Sequence, residues 1–364
     1  MSSMNASPHS KKGEPRRRWR RSSIVAAKLE GFQNEGLLAS SKFSCAYRTC
    51  STSTLHRDNP DSDQIGYLHV HIDAFRPKGH RYRALRYDRS SKVSACAGGA
   101  NIGEDMQRIS VNDRGSILEI TIDRPPANAI DLETSKQLAR AFLRLNNAPN
   151  LRVGILIGGG ERFFSAGWDL KAAAENGGNE NWGIGGFGGL TELFDLRKPV
   201  IAGINGLAVG GGFEIALACD MIVAEEHAEF FLPEATVGVI ADGGGVIRLP
   251  RKLPATIARE MLLTGRRMGA AEALARGLIN EVVPKGGVLE AARRMADRIC
   301  AAAPLSISAY LEVMRATEGL STRHAYEVMR SDACPVYRQM RHSDDYREGP
   351  RAFSEKRPPI WKGY

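Results

Sequence analysis

Two glutamates next to a run of three glycines are the residues best suited to chemistry in this 364-residue chain. The glycines, at 210–212, lie between an apolar run at 199–204, which predicts a buried strand, and a predicted helix at 213–218. Such a turn leaves backbone N–H groups uncovered at a helix N-terminus, where the helix dipole also favours an oxyanion. Glu214 lies in the first turn of that helix, and Glu234 follows the next apolar segment. Two carboxylates beside an oxyanion site predict acid–base chemistry on a carbonyl compound, although a plain tight turn with a glutamate at the helix dipole has the same pattern.

The basic charge of the chain is confined to its N-terminal part. Residues 1–104 hold 18 Lys and Arg against 9 Asp and Glu, so they account for the whole net charge of +9. The Arg-rich run at 16–21 is typical of a targeting segment or a nucleic-acid-binding arm, and also of a poorly ordered extension. We expect residues 1–105 to be a disordered basic extension, with the folded chain starting near Met106.

Cysteine, histidine and hydropathy patterns exclude several classes of protein. The six cysteines form no CxxC pair and match no zinc-site spacing, which predicts a reducing, cytoplasmic compartment and no metal site. The histidines after residue 106 lie near no candidate nucleophile, which argues against a histidine-based triad. No apolar run approaches the roughly 18–20 residues that a membrane span requires, so no membrane association is expected.

The glycines and glutamates need strands and helices to position them. Strands are predicted at 116–123 and 152–158. A helix is predicted from about Leu132, with Asp131 as its cap and an apolar stripe along 138–145. The alternation of strands and helices predicts an α/β fold of layered sheets and helices.

The elements around and after the glutamates are predicted from composition and glycine stops. The Gly- and Asn-rich stretch at 175–190 predicts a mobile loop of the kind that covers a site, with the end of a short helix at 191–196. A strand is predicted from residue 237 onward, after Glu234. Further helices are predicted at 254–264, 270–276, 289–299, 304–317 and 321–340, with a short edge strand at 278–283.

Three motifs in this order resemble the crotonase (enoyl-CoA hydratase/isomerase) superfamily. They are Ser165-Ala-Gly-Trp-Asp-Leu170, the glycine-rich stretch 205–214, and the stretch 232–249 with its second glycine triplet. The resemblance covers 106–364 and implies a crotonase-like spiral of strand–strand–helix repeats with a helical C-terminal region. The domains implied are the extension at 1–105, a spiral core at 106–300 and a helical trimerisation region at 301–364. It also implies a homotrimer or a dimer of trimers.

Longer stretches resemble the carnitinyl-CoA dehydratase (crotonobetainyl-CoA hydratase) branch of the superfamily. They lie at 163–175, 185–195, 261–269 and 348–357, followed by Trp361. The resemblance implies an enzyme, a hydro-lyase that reversibly adds water syn to an enoyl-CoA, interconverting L-carnitinyl-CoA and crotonobetainyl-CoA. A generic short-chain enoyl-CoA hydratase is the first alternative. An isomerase is the second, although isomerases of the superfamily commonly keep only one of the two glutamates.

The resemblance assigns roles to the glycine run and to the two glutamates. The backbone N–H groups of Trp168 and Gly211 are expected to form an oxyanion hole for the thioester oxygen. In hydration, Glu214 is expected to take a proton from the water that adds to C3, and Glu234 to deliver a proton to C2. No metal or redox cofactor is expected, because the thioester is the electron sink and coenzyme A enters as part of the substrate.

The resemblance also assigns contacts to coenzyme A. It places Ala127, Ala166 and Lys171 against the CoA moiety, with Lys171 near the 3′-phosphate, for which a lysine is a suitable point charge. Phe353 and Lys356 are expected to reach the CoA of a neighbouring subunit. Without the resemblance, both lysines would be interpreted as solvated surface charges.

A trimethylammonium group on the substrate favours aromatic contacts. Trp168, Trp182 and Phe187 are the candidates, and packing within the loop explains them equally well. Asp242 either contacts the quaternary ammonium or caps the next helix, and capping is the expectation. Ala241 stands where many members of the superfamily have Pro.

A function of another class is an RNA- or partner-binding protein that uses a crotonase-like scaffold. Its support is the Arg-rich extension, which would be the binding arm. The chain after residue 104 carries no net charge, so a nucleic-acid surface on the folded part is not expected.

Overall fold

The computed structural model describes residues 108–176 and 181–364. The expected extension at 1–105 and the start near Met106 lie outside the described residues. Within them, strands alternate with helices, as the sequence predicts.

The strands in the described part of the chain are short. Most of their residues are apolar, because helices cover the sheets that the strands form. The first of them was not predicted, whereas the short strand expected within 278–283 is confirmed at the edge of a sheet. The strands are β1 (Ile109–Arg114), β2 (Ile117–Ile122), β3 (Val153–Gly158), β4 (Phe163–Ser165), β5 (Val200–Ile204), β6 (Leu207–Val209), β7 (Met221–Glu225), β8 (Glu229–Phe231), β9 (Met268–Gly269) and β10 (Glu281–Val283).

Helices follow most pairs of strands and then dominate the C-terminal part. Short 3₁₀ helices at Phe187–Gly189 and Glu234–Val237 add to them. The α-helices are α1 (Leu132–Asn147), α2 (Leu170–Asn176), α3 (Gly211–Ala218), α4 (Gly245–Lys252), α5 (Ala255–Thr264), α6 (Ala270–Ala275), α7 (Val288–Cys300), α8 (Pro304–Thr317), α9 (Thr322–Met329), α10 (Pro335–His342) and α11 (Asp344–Ser354).

The pairs β3–β4, β5–β6 and β7–β8 each add one strand to each of two sheets, whereas β1 and β2 both belong to the larger sheet. One sheet has the order β1-β2-β3-β5-β7-β10 and the other β4-β6-β8-β9. Apart from the antiparallel pairs β1–β2 and β8–β9, neighbouring strands are parallel. Because β4 and β6 are parallel neighbours, their carboxyl ends meet at one edge of the smaller sheet. The chain segments that follow these two ends carry the predicted oxyanion donors.

The first helix confirms its predicted cap and face. The Asp131 carboxylate accepts the Thr134 N–H at 2.9 Å, which satisfies one of the free donors at the start of α1. Leu138, Phe142 and Leu145 are fully buried in the main core. A second core lies between the larger sheet and α7, so this sheet is covered on both faces.

The strand predicted after Glu234 is wrong. The chain instead forms the 3₁₀ helix at Glu234–Val237, and Gly238 ends it in the left-handed region with φ 81°. The Val239 N–H donates to the Glu234 carbonyl at 3.1 Å, which closes the turn. Val239 and Ile240 are exposed, so their apolar character does not reflect burial in a sheet.

The region between α2 and β5 also differs from its prediction. Residues 191–196 form turns rather than a helix end, with the Leu193 N–H on the Leu190 carbonyl at 3.1 Å. Residues 185–190, predicted as part of a mobile loop, are buried. A Cβ at Gly189 would lie 2.4 Å from the Ala139 N, so this stretch packs directly on α1.

The C-terminal part contains more helices than predicted. The single helix predicted at 321–340 is the pair α9 and α10, because Pro335 lacks an N–H and starts a new helix. The last helix, α11, was not predicted, although Ser343 caps it by accepting the Tyr346 N–H at 3.1 Å. In the part of the chain that the structure describes, no single helix is long and apolar enough to cross a membrane, and one pair bent by 103°, α7 with α8, passes that test only when joined.

Candidate active site

The backbone after β4 leaves the N–H of Trp168 without a hydrogen-bond partner among the described residues. The Ile130 N–H donates to the Gly167 carbonyl at 2.7 Å, and the Asp169 N–H donates to the Ile130 carbonyl at 2.9 Å. These bonds form a parallel bridge between Ile130 and Trp168. In a parallel bridge, the two residues on either side of Trp168, Gly167 and Asp169, make both hydrogen bonds to Ile130. The N–H of Trp168 itself therefore points away from Ile130.

The N–H of Gly211 lies close to this turn. A Cβ added to Gly167 would lie 2.6 Å from the Gly211 nitrogen, so the two segments are in contact. Gly211 is the first residue of α3, where a helix has no internal partner for its N–H. Among the described residues, no hydrogen bond joins the N–H of Trp168 or Gly211 to another element. The two predicted oxyanion donors are therefore neighbours.

Each glycine of the run 210–212 is required for a different local reason. Gly210 has φ 54° and ψ −127°, a backbone conformation that residues other than glycine rarely adopt. A Cβ at Gly211 would lie 2.4 Å from the ring of Phe187, and a Cβ at Gly212 would lie 2.3 Å from the Ser165 carbonyl oxygen. The run thus lets the start of α3 approach β4 and the aromatic ring.

Glu214 is held by the second glycine triplet. Its side chain is 4% exposed, and its Oε1 accepts the Gly245 N–H at 2.8 Å. A Cβ at Gly243 would lie 2.7 Å from Oε2, so only a glycine leaves space for the carboxylate there. The N-terminus of α4 therefore fixes the orientation of this carboxylate, a contact that sequence reasoning missed.

Glu234 follows β8, and its carboxylate lies next to the glycine that precedes α3. Its Oε1 lies 3.0 Å from the position that a Cβ would take on Gly210, one residue before Gly211. Its Oε2 is buried and has no hydrogen-bond partner among the described residues. Glu234 thus lies against the glycine that precedes α3, and Glu214 lies against the glycines that precede and start α4.

The surroundings raise the pKa of both carboxyl groups. Burial raises the pKa of Glu214 to about 7; the Gly245 N–H opposes the shift, and the charges of Glu234 and Asp242 add to it. Burial also raises the pKa of Glu234, and the charge of Asp242 adds to that shift. A carboxyl group with a pKa of about 7, next to a second one whose pKa is also raised, suits general acid–base catalysis.

The predicted aromatic residues form one pair and one separate ring. Trp182 and Phe187 stack edge to face, with ring centroids 4.9 Å apart, and Phe187 packs on Gly211. This is the packing arrangement that the sequence left open as an alternative to ligand contact. The Nε1 of Trp168 is buried without a hydrogen-bond partner among the described residues.

The predicted CoA contacts fall into two groups. Ala127 and Ala166 are joined by the Ala166 N–H to Ala127 carbonyl bond at 2.9 Å, and Lys171 is exposed on α2 just after Trp168. Phe353, on α11, is 87% exposed, and Lys356 follows it in an exposed position. Ala166 lies two residues before Trp168, so the first group adjoins a predicted oxyanion donor along the chain.

The capping role predicted for Asp242 is wrong. The residue that caps α4 is Gly244, which makes no side-chain cap bond, because the chain turns there with φ 117°. Asp242 instead borders a cavity of about 1250 Å³ whose wall also includes Leu193, Arg248 and Glu312. Sequence reasoning missed this cavity, because its walls come from segments far apart in the chain.

Arg248 is a second residue that sequence reasoning missed. It lies on α4, and its guanidinium donates to the Thr191 carbonyl. Its positive charge acts to lower the pKa of Glu214 and so partly offsets the effect of Asp242. Its position one turn after the second glycine triplet is the only sequence signal that pointed to it.

Comparisons with known proteins cover the same part of the chain. The family model described as enoyl-CoA hydratase/isomerase matches residues 112–364. A protein of Proteus mirabilis (strain HI4320) named carnitinyl-CoA dehydratase is 54% identical over 258 residues, which are 71% of this chain and 99% of that protein. A carnitinyl-CoA dehydratase of Salmonella typhi is 53% identical over 258 residues, with the same coverage.

Solved structures give the same result at lower identity. The crystal structure of an enoyl-CoA hydratase from Mycobacterium tuberculosis H37Rv is 39% identical, with a TM-score of 0.64, and the match covers 71% of this chain and 99% of that one. An enoyl-CoA hydratase from Bacillus anthracis is 34% identical, with a TM-score of 0.63 and coverage of 71% and 100%. All of these matches span nearly the whole length of the relatives.

Proposed function

Because this chain belongs to the enoyl-CoA hydratase/isomerase family, we propose that Trp168, Gly211, Glu214 and Glu234 form its active site. The chain is an acyl-CoA hydratase/dehydratase, an enzyme of the hydro-lyase class, and its fold is the α/β crotonase-like fold. The observation that carries the proposal is the pair of carboxylates at the start of α3: Glu214 is buried in its first turn and accepts the Gly245 N–H, and the Oε1 of Glu234 lies 3.0 Å from the Cβ position of Gly210.

The N–H groups of Trp168 and Gly211 donate to the thioester oxygen of the substrate. When water adds to C3 of an enoyl thioester, negative charge develops on this oxygen. Donors that are already fixed in place stabilise that charge without reorganising. The bridge to Ile130 and the contact of Gly167 with Gly211 support such rigidity. Only backbone atoms are involved, so a tryptophan at this position is compatible with the role.

The two glutamates move the protons. In hydration Glu214 accepts a proton from water as the water oxygen bonds to C3, and Glu234 donates a proton to C2 as the enolate collapses. Exchange with solvent then restores both groups. The water oxygen and the proton add to the same face of the double bond, as the resemblance to the crotonase superfamily implies. Dehydration follows the same steps in reverse.

The CoA moiety of the substrate binds residues other than the two oxyanion donors and the two glutamates. Ala127, Ala166 and Lys171 contact the CoA moiety, with Lys171 near the 3′-phosphate. Phe353 and Lys356 serve the CoA of a neighbouring copy in a homotrimer or a dimer of trimers, which accords with the 87% exposure of Phe353 in the single chain. No cofactor besides the CoA thioester takes part, since the thioester carbonyl itself accepts the electron pair.

The acyl group is that of L-carnitinyl-CoA, which loses water to give crotonobetainyl-CoA. Support comes from the relatives named carnitinyl-CoA dehydratase, which are 53–54% identical to this chain over 99% of their length. The second candidate is hydration of a short neutral enoyl-CoA, favoured by the similarity to solved enoyl-CoA hydratases at 39% and 34% identity. No observation on the described residues supports an isomerase or an RNA-binding protein.

Steady-state kinetics of the full chain tests the choice of substrate. Hydration of crotonobetainyl-CoA and of crotonyl-CoA is measured side by side, and kcat/KM is compared. We expect a clear preference for crotonobetainyl-CoA. A preference for crotonyl-CoA would contradict the carnitinyl-CoA proposal and leave the two-glutamate chemistry in place.

A further inference from the structure

Asp242 is a carboxylate without a partner beside the two glutamates. Its backbone N–H donates to the Ile240 carbonyl at 2.9 Å, which closes the turn before α4. Among the described residues its side chain makes no hydrogen bond and no ion pair, and it does not cap the helix. It is exposed on the wall of the cavity of about 1250 Å³. Neither fold nor capping explains an aspartate here.

Asp242 is one residue away from a glycine that contacts the Glu214 carboxylate. Gly243, the next residue, lies against the Glu214 carboxylate, with its Cβ position 2.7 Å from Oε2. Under the proposed function, Glu214 holds the water that adds to C3 of the acyl group. In crotonobetainyl-CoA the quaternary nitrogen is only two bonds from C3. The cationic end of the substrate therefore falls in the neighbourhood of Asp242.

An unpaired negative charge in this place opposes the reaction of a neutral substrate. The charge of Asp242 adds to those of Glu214 and Glu234, and it disfavours the enolate that forms on the thioester. A substrate that carries its own positive charge beside C3 compensates for that cost. Arg248, the nearby cation of α4, is engaged by the Thr191 carbonyl and is not within ion-pair distance of Asp242.

A quaternary ammonium group cannot donate a hydrogen bond, and the Asp242 side chain accepts none among the described residues. A trimethylammonium group has no N–H, so it cannot use a directed hydrogen bond and is attracted only by nearby charge and by aromatic faces. An exposed carboxylate that is free of other partners suits such a group.

We propose that Asp242 binds the quaternary ammonium group of the acyl chain and is the residue that selects this substrate over neutral enoyl-CoA thioesters. The inference rests on the proposed function, since it assigns a residue to the cationic end of the same substrate. It adds a specificity determinant to the two glutamates, which act on either kind of acyl group.

The test compares the full chain with its Asp242→Asn variant on crotonobetainyl-CoA and crotonyl-CoA. We expect kcat/KM for crotonobetainyl-CoA to fall about 10- to 100-fold in the variant, as for the loss of one nearby charge partner. For crotonyl-CoA we expect kcat/KM to stay within about threefold or to rise. Retained activity on crotonyl-CoA also shows that the variant folds.

Two further variants serve as controls. Asp195→Asn removes an exposed carboxylate from another segment of the same cavity wall, and we expect the substrate preference to stay unchanged. Asp242→Glu keeps the charge, and we expect it to retain most of the preference. An equal loss of preference in Asp195→Asn would overturn the assignment, because the effect would then belong to the cavity charge as a whole.

The outcomes separate the inference from the proposed function. If the unmodified chain prefers crotonobetainyl-CoA and Asp242→Asn keeps that preference, Asp242 is not the selecting residue and the proposed function stands. If Asp242→Asn loses both activities equally while folded, as shown by its circular dichroism, the residue supports catalysis in general and the inference is wrong. If the unmodified chain prefers crotonyl-CoA, the proposed substrate and this inference fail together.

Discussion

The reacting end of the site and its CoA-binding end are built in opposite ways. At the reacting end Glu214 is 4% exposed and its carboxylate is fixed by the Gly245 N–H at 2.8 Å. At the CoA end Lys171 and Lys356 are exposed, and Phe353 is 87% exposed. The first region is packed within one chain, whereas the second consists of exposed side chains for which we propose contacts with CoA. Changes at the first should therefore lower kcat, and changes at the second should raise KM.

The sharpest way to break this comparison is to neutralise the glutamates. We expect Glu214→Gln and Glu234→Gln each to lower kcat by about 10²–10⁴-fold with little change in KM, because each removes a proton-transfer group. Steady-state hydration kinetics measures both parameters. Glu226→Gln, an exposed glutamate after β7, is the control and should keep full activity. A variant of either buried glutamate with unchanged kcat would remove that residue from the mechanism.

A backbone substitution tests the oxyanion donors without touching a carboxylate. We expect Gly211→Ala to lower kcat about 10²–10³-fold, because the new methyl group collides with the Phe187 ring and displaces the N–H. The matched control is Gly269→Ala, where a Cβ meets no atom within 4 Å and φ is −77°. Full activity of Gly211→Ala would show that this N–H is not a donor to the thioester.

The pH dependence of kcat/KM tests the ionisation of Glu214 at the reacting end. Hydration requires Glu214 in its ionised form, and its pKa is raised to about 7, so kcat/KM should fall roughly tenfold per pH unit below 7. Since the charge of Asp242 contributes to this raised pKa, Asp242→Asn should move the acidic limb to lower pH when crotonyl-CoA is the substrate. An acidic limb near the ordinary glutamate pKa of about 4.5 would contradict the assigned base.

The smallest effects are expected at the CoA end. Lys171→Ala and Lys356→Ala should each raise KM about 3- to 10-fold with kcat nearly unchanged, because an exposed lysine contributes only a screened charge to phosphate binding. The rise in KM should shrink at high salt. If either variant loses kcat instead, the division into a reacting end and a binding end is wrong for that residue.

Local signals in the sequence were enough for the glutamates and their first helix. The glycine run, the apolar strand before it and Glu214 all lie within a few residues, and the helix predicted at 213–218 is confirmed as α3, which starts two residues earlier, at Gly211. The cap and face of α1 are equally local, and both are confirmed. The support of Glu214 by Gly245 was not predicted, because it depends on how two turns of the spiral pack.

The wrong predictions have physical reasons of the same kind. An apolar run after Glu234 indicated a strand, but its side chains are exposed and Gly238 turns the chain. Asp242 has the residue type of a helix cap, yet Gly244 takes the cap position. Pro335 carried a local signal for a helix start that the longer apolar pattern concealed.

The most direct test of the reacting end is hydration in D₂O, with deuterium at C2 followed by NMR. We predict that the full chain incorporates deuterium on the face that receives the hydroxyl group. With a saturated acyl-CoA, which has no double bond to hydrate, we predict that Glu214→Gln still exchanges the C2 hydrogen and that Glu234→Gln does not. Exchange that survives in Glu234→Gln and disappears in Glu214→Gln would contradict the assigned roles.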